Sequence, residues 1–247
     1  VSIAQGIKEA APGARVLLSD GSNVVEAQRL AREADVAIVV VGNHPTCNAG
    51  WARCPIPSNG KEGIDRKTLV LEQEDLVKQI LSANPHTIEV LRSSFPYAIT
   101  WSRDKVPAIL HMTHNSEEEG HGLADVLFGE YSPAGRLNQT WPESDAQLLP
   151  ITDYDIRHGS TYMYSKQKPL YAFGYGLSYT TFTYEDLSLS SHKVTADGEV
   201  RVSVKVKNTG DRAGDEVVQI YVQHLGSAVE RPQLELKGFE RIHIESG

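Results

Sequence analysis

The sequence predicts a layered α/β sandwich with a mostly parallel sheet, followed by the start of an antiparallel β-sandwich. Three observations predict it. Up to Gly129, apolar strand-like runs alternate with segments of helical periodicity, the pattern of a sheet covered by helices. The run Val36-Ala-Ile-Val-Val-Val41 is wholly apolar, as a strand covered on both faces of a parallel sheet should be. From about Thr180 the texture shifts to period two and no helical pattern remains. Residues 1–180 are therefore assigned to the α/β domain and 181–247 to the β-domain.

In chain order, Asn23 is placed to cap a helix with Glu26 at its third position, and Leu30, Ala31 and Ala34 give that helix an apolar face. The Val36–Val41 strand follows, then a long loop from Gly42 to about Leu71. Leu76, Val77, Ile80 and Leu81 repeat at helical spacing, and Thr87–Leu91 returns as a strand. A further strand, Ala108–Met112, leads to Ser116, which can cap a helix carrying Leu123, Val126 and Leu127 and ending near Gly129. Ligands of such sheets gather at the carboxyl ends of the strands, so the loops after Val41, Leu91 and Met112 are where a site is expected. Beyond Thr180, Val200, Val202, Val204 and Val206 alternate with polar residues, Asn208-Thr-Gly210 makes a turn, and Val217–Val222 is another strand. Val1 opens without a signal pattern and the strands stop at Gly247 short of a whole sandwich, so both domains are expected to be incomplete at the ends of the sequence.

Composition excludes several classes. The 247 residues carry a formal net charge of −8, and the basic residues are scattered, which argues against a nucleic-acid partner. No segment approaches the ~20 apolar residues that cross a bilayer, so no membrane span is expected. No glycine-rich phosphate loop follows any expected strand, which disfavours a nucleotide-binding domain.

Two cysteines, Cys47 and Cys54, lie in one Pro- and Gly-rich loop. A disulfide between them would pin that loop; a pair of reduced thiols is the alternative, and zinc is disfavoured because His44 brings no fourth ligand at finger spacing. His111, His114 and His121 surround the end of one strand and the next helix, and are read as ordinary polar groups; no metal site is assigned. Asn138-Gln-Thr140 is an acceptor sequon of use only in a source that glycosylates.

Several stretches are similar to glycoside hydrolase family 3, the family of β-glucosidases and β-xylosidases. Glu118–Leu137, EEGHGLADVLFGEYSPAGRL, resembles its second-domain helix and the turn that follows, and Pro169–Tyr179, PLYAFGYGLSY, resembles the segment leading out of that domain. VKNTGDRAGDEVVQIYV, Val206–Val222, and Leu236-Lys-Gly-Phe239 are similar to its fibronectin type III-like domain. The likeness runs in the family's order along nearly the whole chain. It implies a retaining double displacement on a terminal β-D-glucosyl or xylosyl residue, with an aspartate nucleophile on a (β/α)8 barrel and a glutamate acid/base on the second domain, the two carboxyls ~5 Å apart. This sequence has no eightfold repeat, so the nucleophile is not in it, and the chain alone is expected to be inactive.

Lys61-Glu62-Gly63-Ile64-Asp65-Arg66 resembles the family's Glu-Gly-x-Asp-Arg element, with Glu62 on its glutamate. A carboxyl flanked by glycine on a long loop can reach a partner domain and alternate between acid and base; an exposed loop carboxylate is the bland alternative. Asp65 and Arg66 are expected to brace the loop through a forked ion pair. Trp51 and His44 share the loop and could wall a sugar subsite, since an aromatic face stacks on a pyranose; a packing role for Trp51 is an equal reading. The inserted stretch around the cysteines departs from the commoner family pattern, in which the glutamate comes sooner after the strand. Glu118 matches a second-domain glutamate and is expected to line the cleft or serve the structure, with catalysis the lesser alternative, while Glu119 reads as the partner of Ser116 in a capping box.

The resemblance implies no cofactor. Its partners would be a β-linked oligosaccharide or an aryl or alkyl glycoside and the absent barrel domain or chain; a homodimer is left open. The family setting implies a secreted or periplasmic protein. A non-catalytic carbohydrate-binding or adhesion module is the competing class, and retention of both the Glu62 element and the Glu118 helix favours the hydrolase.

Overall fold

The computed structural model describes every residue except 48–53, 55–57, 59 and 116. The described chain divides into two compact units, the first made of 1–124 and 139–173 and the second of 125–138 and 174–247. The 125–138 segment groups with the β-rich second unit.

The first unit is α/β. Its helices are α1 (Ile3–Ala10), α2 (Val24–Glu33), α3 (Glu74–Ala83), α4 (Thr100–Lys105), the start of α5 (Glu119–Phe128) and the short α6 (Thr161–Tyr164). Strands β1 (Ala37–Gly42), β2 (Thr87–Arg92) and β3 (Ala108–Met112) form a parallel sheet in the order β1-β2-β3. Ala37 faces Thr87 across β1 and β2, and Leu91 faces His111 across β2 and β3.

Local chemistry sets the helix ends. Asn23 Oδ1 accepts from Glu26 N at 3.2 Å, supplying one of the orphan donors at the start of α2. Glu74 and Asp75 place negative charge in the first turn of α3, where the helix dipole favours it. The buried face of α3 is Val77 and Ile80, and that of α2 is Ala27 and Ala31. Asn84 closes both helices: its Nδ2 donates to the carbonyls of Ala31 and Ala34 at 2.9 and 2.8 Å, and its Oδ1 accepts from His86 N. Gly129 ends α5 at φ 79°, a backbone region that favours glycine. Ser116, the expected cap of α5, lies outside the described residues.

The two-sided burial expected of the first strand holds for β2 rather than β1. Thr87, Glu89, Val90 and Leu91 are all buried in the central strand. On β1 only Ala37, Val39 and Val41 are buried and Val40 is 42% exposed, because β1 lies at an edge of the sheet formed by the described strands.

In the second unit, β4 (Phe182–Leu189) pairs antiparallel with β5 (Val202–Asn208), and β6 (Gly214–Val222) with β7 (Glu235–Ile244). The valine alternation is visible in β5, where Val202, Val204 and Val206 are half-buried between exposed neighbours. Asn208 is the polar centre of this unit. Its Nδ2 donates to the carbonyls of Arg212 and Ile244, while its Oδ1 accepts from Thr180 Oγ1 and Gly210 N. Beside it, Arg136 and Glu216 form a largely buried ion pair at 2.6 Å, and Tyr184 donates to the second oxygen of Glu216 at 2.7 Å.

Two features of the first unit carry measurable consequences. At the crossing of α1 with α5, a Cβ on Gly6 would lie 2.2 Å from the Gly120 carbonyl oxygen, and a Cβ on Gly120 would lie 2.3 Å from the Ser2 carbonyl oxygen. Next to this crossing His121 is hydrogen-bonded through Nε2 to Glu9 of α1 and through Nδ1 to Glu118. The bonds to Glu9 and then Glu118 raise the imidazole above its ordinary 6.5. A raised histidine stabilises the fold fully below its unfolded value and loses that contribution as pH rises through the folded value. His121→Gln should therefore flatten the decline of the thermal midpoint above pH 6.5, by an amount that shrinks with added salt because all three groups are exposed.

The second feature is Glu89, in mid-β2 with no exposed surface and, among the described residues, no hydrogen-bond partner on either oxygen. Ser102 of α4 lies beside it, but its hydroxyl makes no bond of standard geometry. Burial pushes the carboxyl up to about 6 from an ordinary 4.5. The folded state therefore holds this proton more tightly than the unfolded chain. The cost of ionising Glu89 is absent below pH 4.5, grows up to about pH 6 and is constant above. Glu89→Gln should raise stability by about 1–2 kcal/mol at pH 7.5 and leave it unchanged at pH 4, as read by urea unfolding.

Candidate active site

The carboxyl ends of β1, β2 and β3 bring together groups from widely separated parts of the sequence. Asn43, directly after β1, is 6% exposed, and its side chain makes three hydrogen bonds among the described residues. Its Nδ2 donates to Gly60 O at 2.9 Å; its Oδ1 accepts from Ser94 N at 2.9 Å, and the His114 Nε2 contact to the same oxygen is 3.1 Å. A backbone N–H can only donate and a carbonyl can only accept, so the amide orientation is fixed by chemistry. His114 must then carry its proton on Nε2. Its Nδ1 is buried with no partner among the described residues. Burial first, then the charge of Arg92, lower this imidazole below 6.5, in keeping with the neutral tautomer.

Around this centre Ser93 Oγ lies 3.1 Å from His111 Nε2, and the His111 ring meets the edge of Trp141 at 5.0 Å between centroids. Arg92 and Glu119 are paired at 2.9 Å. The Glu119 carboxylate thus reaches Arg92 at the end of β2, while the capping box expected of it with Ser116 lies outside the described residues.

Glu62 stands at the tip of a tight turn. Lys61 and Ile64 bridge, Ile64 N donates to Lys61 O at 3.3 Å, and Gly63 takes φ 75°, where a Cβ would be strained. The Glu62 backbone N–H donates to Pro45 O at 2.6 Å, and its side chain is exposed. The turn is anchored on both flanks. Upstream, Gly60 packs so closely on Phe95 that a Cβ would lie 2.1 Å from the ring. Downstream, the Arg66 guanidinium carbon sits 4.3 Å from the centroids of both Phe95 and Tyr97, and Nη2 donates to Val70 O at 3.0 Å. Farther along, Asp145 accepts from Thr68 Oγ1 and Leu69 N, both at 2.6 Å. Those bonds, with the charge of Arg66, hold its carboxyl below the usual range.

The brace expected from an Asp65–Arg66 ion pair takes a different form. Among the described residues the two make no ion pair; Asp65 is exposed, and Arg66 stacks on aromatic faces instead. Stacking suits the planar, weakly hydrated guanidinium, whose Nε and Nη1 are buried with no hydrogen-bond partner among the described residues.

His44 is exposed at the start of the same loop, with its N–H on Ser58 Oγ at 3.3 Å and Nδ1 near Thr46 Oγ1 at 3.3 Å. Pro45 O, which receives the Glu62 N–H, is the next residue, so His44 and Glu62 belong to one loop cluster. Trp51 lies outside the described residues. Cys47 and Cys54 are joined in a disulfide with Cα atoms 5.5 Å apart. Glu118 belongs to the other cluster, held by His121. Among the described residues no group of three His, Cys, Asp or Glu could hold a metal ion, and no helix is long and apolar enough to cross a membrane.

Sequence reasoning missed Asn43, Ser94, Phe95 and the part played by His114. Only position could have found them, since each directly follows or closely trails a strand.

The family model for the glycosyl hydrolase family 3 C-terminal domain matches residues 1–179, and that for the fibronectin type III-like domain matches residues 216–247. A β-glucosidase of Kluyveromyces marxianus is 37% identical over 245 residues, covering 93% of this chain and 27% of that protein. A periplasmic β-glucosidase of Salmonella typhimurium is 36% identical over 234 residues, covering 90% of this chain and 29% of that protein. The crystal structure of β-D-glucoside glucohydrolase from Trichoderma reesei superposes with a TM-score of 0.83 at 27% identity, over 100% of this chain and 38% of that one. The chain thus spans less than a third of the length of these curated relatives. With a parallel sheet whose strand ends carry an exposed glutamate turn, and with these matches along its length, the chain belongs to glycosyl hydrolase family 3, as its C-terminal domain followed by fibronectin type III-like sequence.

Proposed function

We propose that this chain supplies the general acid/base half of a retaining exo-β-glycosidase that removes terminal β-D-glucosyl or xylosyl residues. Glu62 is the acid/base, and the aspartate nucleophile belongs to a (β/α)8 barrel outside this sequence. The observation that carries the reading is the Glu62 turn: an exposed carboxyl at a tip whose backbone is held on both sides. Such a group can meet a sugar presented by another domain without losing its aim.

In the first step Glu62 protonates the glycosidic oxygen as the nucleophile attacks the anomeric carbon. In the second the resulting carboxylate takes a proton from the water that releases the sugar. His44 and Trp51 are proposed to wall the sugar subsite, while Glu118, bonded to His121, serves the α1–α5 contact. The Cys47–Cys54 disulfide supports an oxidising, secreted or periplasmic setting. One carboxyl cannot perform a double displacement, so the chain by itself is expected to turn over no glycoside.

The test is an activated aryl β-glucoside with the intact enzyme carrying this chain, wild type against Glu62→Ala. Turnover should fall by about 10²- to 10⁴-fold, and azide should restore it with β-glycosyl azide as the product. Near-normal turnover without azide would move the acid/base role away from Glu62, with Glu118 the next residue to replace.

A further inference from the structure

We infer that Asn43 is a positioning residue for the acid/base: its side-chain amide locks the Glu62 turn to the ends of the parallel strands. The inference rests on the Glu62 reading and adds to it the device that aims the carboxyl.

Three separate chain segments converge on one buried side chain. Asn43 reaches Gly60, 17 residues on, Ser94, 51 residues on, and His114, 71 residues on. The Gly60 contact is the one that matters for Glu62. Gly60 lies two positions before it, and its carbonyl is held at 2.9 Å by an amide whose other end is saturated by two donors. Those donors leave the amide one orientation. A flipped Asn43 would set its NH2 against the Ser94 N–H and its oxygen against the Gly60 oxygen, two repulsive pairs in a buried place. The neutral, Nε2-protonated His114 completes this arrangement.

Phe95 gives the same anchor a floor. Its ring edge bears on Gly60 and its face on Arg66, so both flanks of the Glu62 turn rest on one residue just beyond β2. Without the Asn43 donor the Gly60 carbonyl keeps only the 3.4 Å bond from Ser58 Oγ, so the upstream flank loosens while the Arg66 flank stays. The expected result is an acid/base that is present but poorly aimed. A misplacement of ~1 Å costs up to about 100-fold where aim matters.

General-acid help matters most for a poor leaving group, which separates aim from general damage. In the intact enzyme, Asn43→Asp keeps an oxygen for Ser94 N and His114 Nε2 but replaces the donor to Gly60 with a second oxygen. Its kcat/KM on cellobiose should fall by about 10- to 100-fold, while kcat/KM on 2,4-dinitrophenyl β-glucoside stays within about threefold. Asn43→Ala, which buries no charge, should show the same split, and His114→Gln, which keeps an N–H donor, should show little of it.

Equal losses on both substrates, or no loss on cellobiose, would overturn the inference. So would failure of both Asn43 variants to fold, judged by circular dichroism, since Asn43 would then serve folding rather than aim. Glu62→Ala measured alongside keeps the two ideas apart. If it shows the leaving-group split and azide rescue and Asn43→Asp does not, only the positioning role falls. If Glu62→Ala shows neither, the acid/base assignment falls first and the positioning role falls with it.

Discussion

A parallel sheet leaves the backbone groups beyond its strand ends without a partner strand, and the loops that leave there must satisfy those groups some other way. Here the first residues after β1 and β2 do so. Asn43 N donates to Arg92 O at 3.2 Å, and Ser93 N donates to Met112 O at 2.9 Å, which carries the ladder one step past its last residues. The Asn43 side chain then takes up Gly60 O and Ser94 N. Gln73 Nε2 donates to Gly42 O at 3.1 Å and ties the far end of the long loop to the same place. The loop that bears Glu62 is thus fixed to the sheet near both of its ends.

Buried polar groups are handled in two opposite ways in this molecule. Asn208 makes four hydrogen bonds and leaves no atom idle, so its burial organises the turn after β5 at little cost. Glu89 lies as deep with neither oxygen bonded among the described residues, and its burial costs free energy wherever the carboxyl is ionised. The difference is geometric. Asn208 sits at a turn where backbone donors and acceptors converge, whereas Glu89 sits mid-strand, where the backbone is already committed to the ladder.

Much of the fold was legible because its signals are local. The cap at Asn23, the spacing of Val77 and Ile80, the β3 run and the stop at Gly129 each lie within a few residues of the structure they specify. The glutamate turn was legible through its motif. The parts that stayed hidden join distant segments: the adjacent pair Asp65–Arg66 suggested an ion pair, yet Arg66 found Phe95 and Tyr97 instead. Asn43 looked like an ordinary loop residue because its three partners are scattered along the chain. Glu89 was open to notice, a carboxylate inside Ile88–Leu91, but period alone could not tell that the central strand would be covered on both faces.

The crossing of α1 and α5 has an evolutionary reading. A side chain at Gly6 would strike the backbone of Gly120, and one at Gly120 would strike the backbone of Val1 and Ser2. Neither obstacle is a side chain that could shrink in exchange. A change at one glycine therefore has no compensating change at the other, and the two positions should each stay fixed in related sequences without drifting as a correlated pair, although they touch.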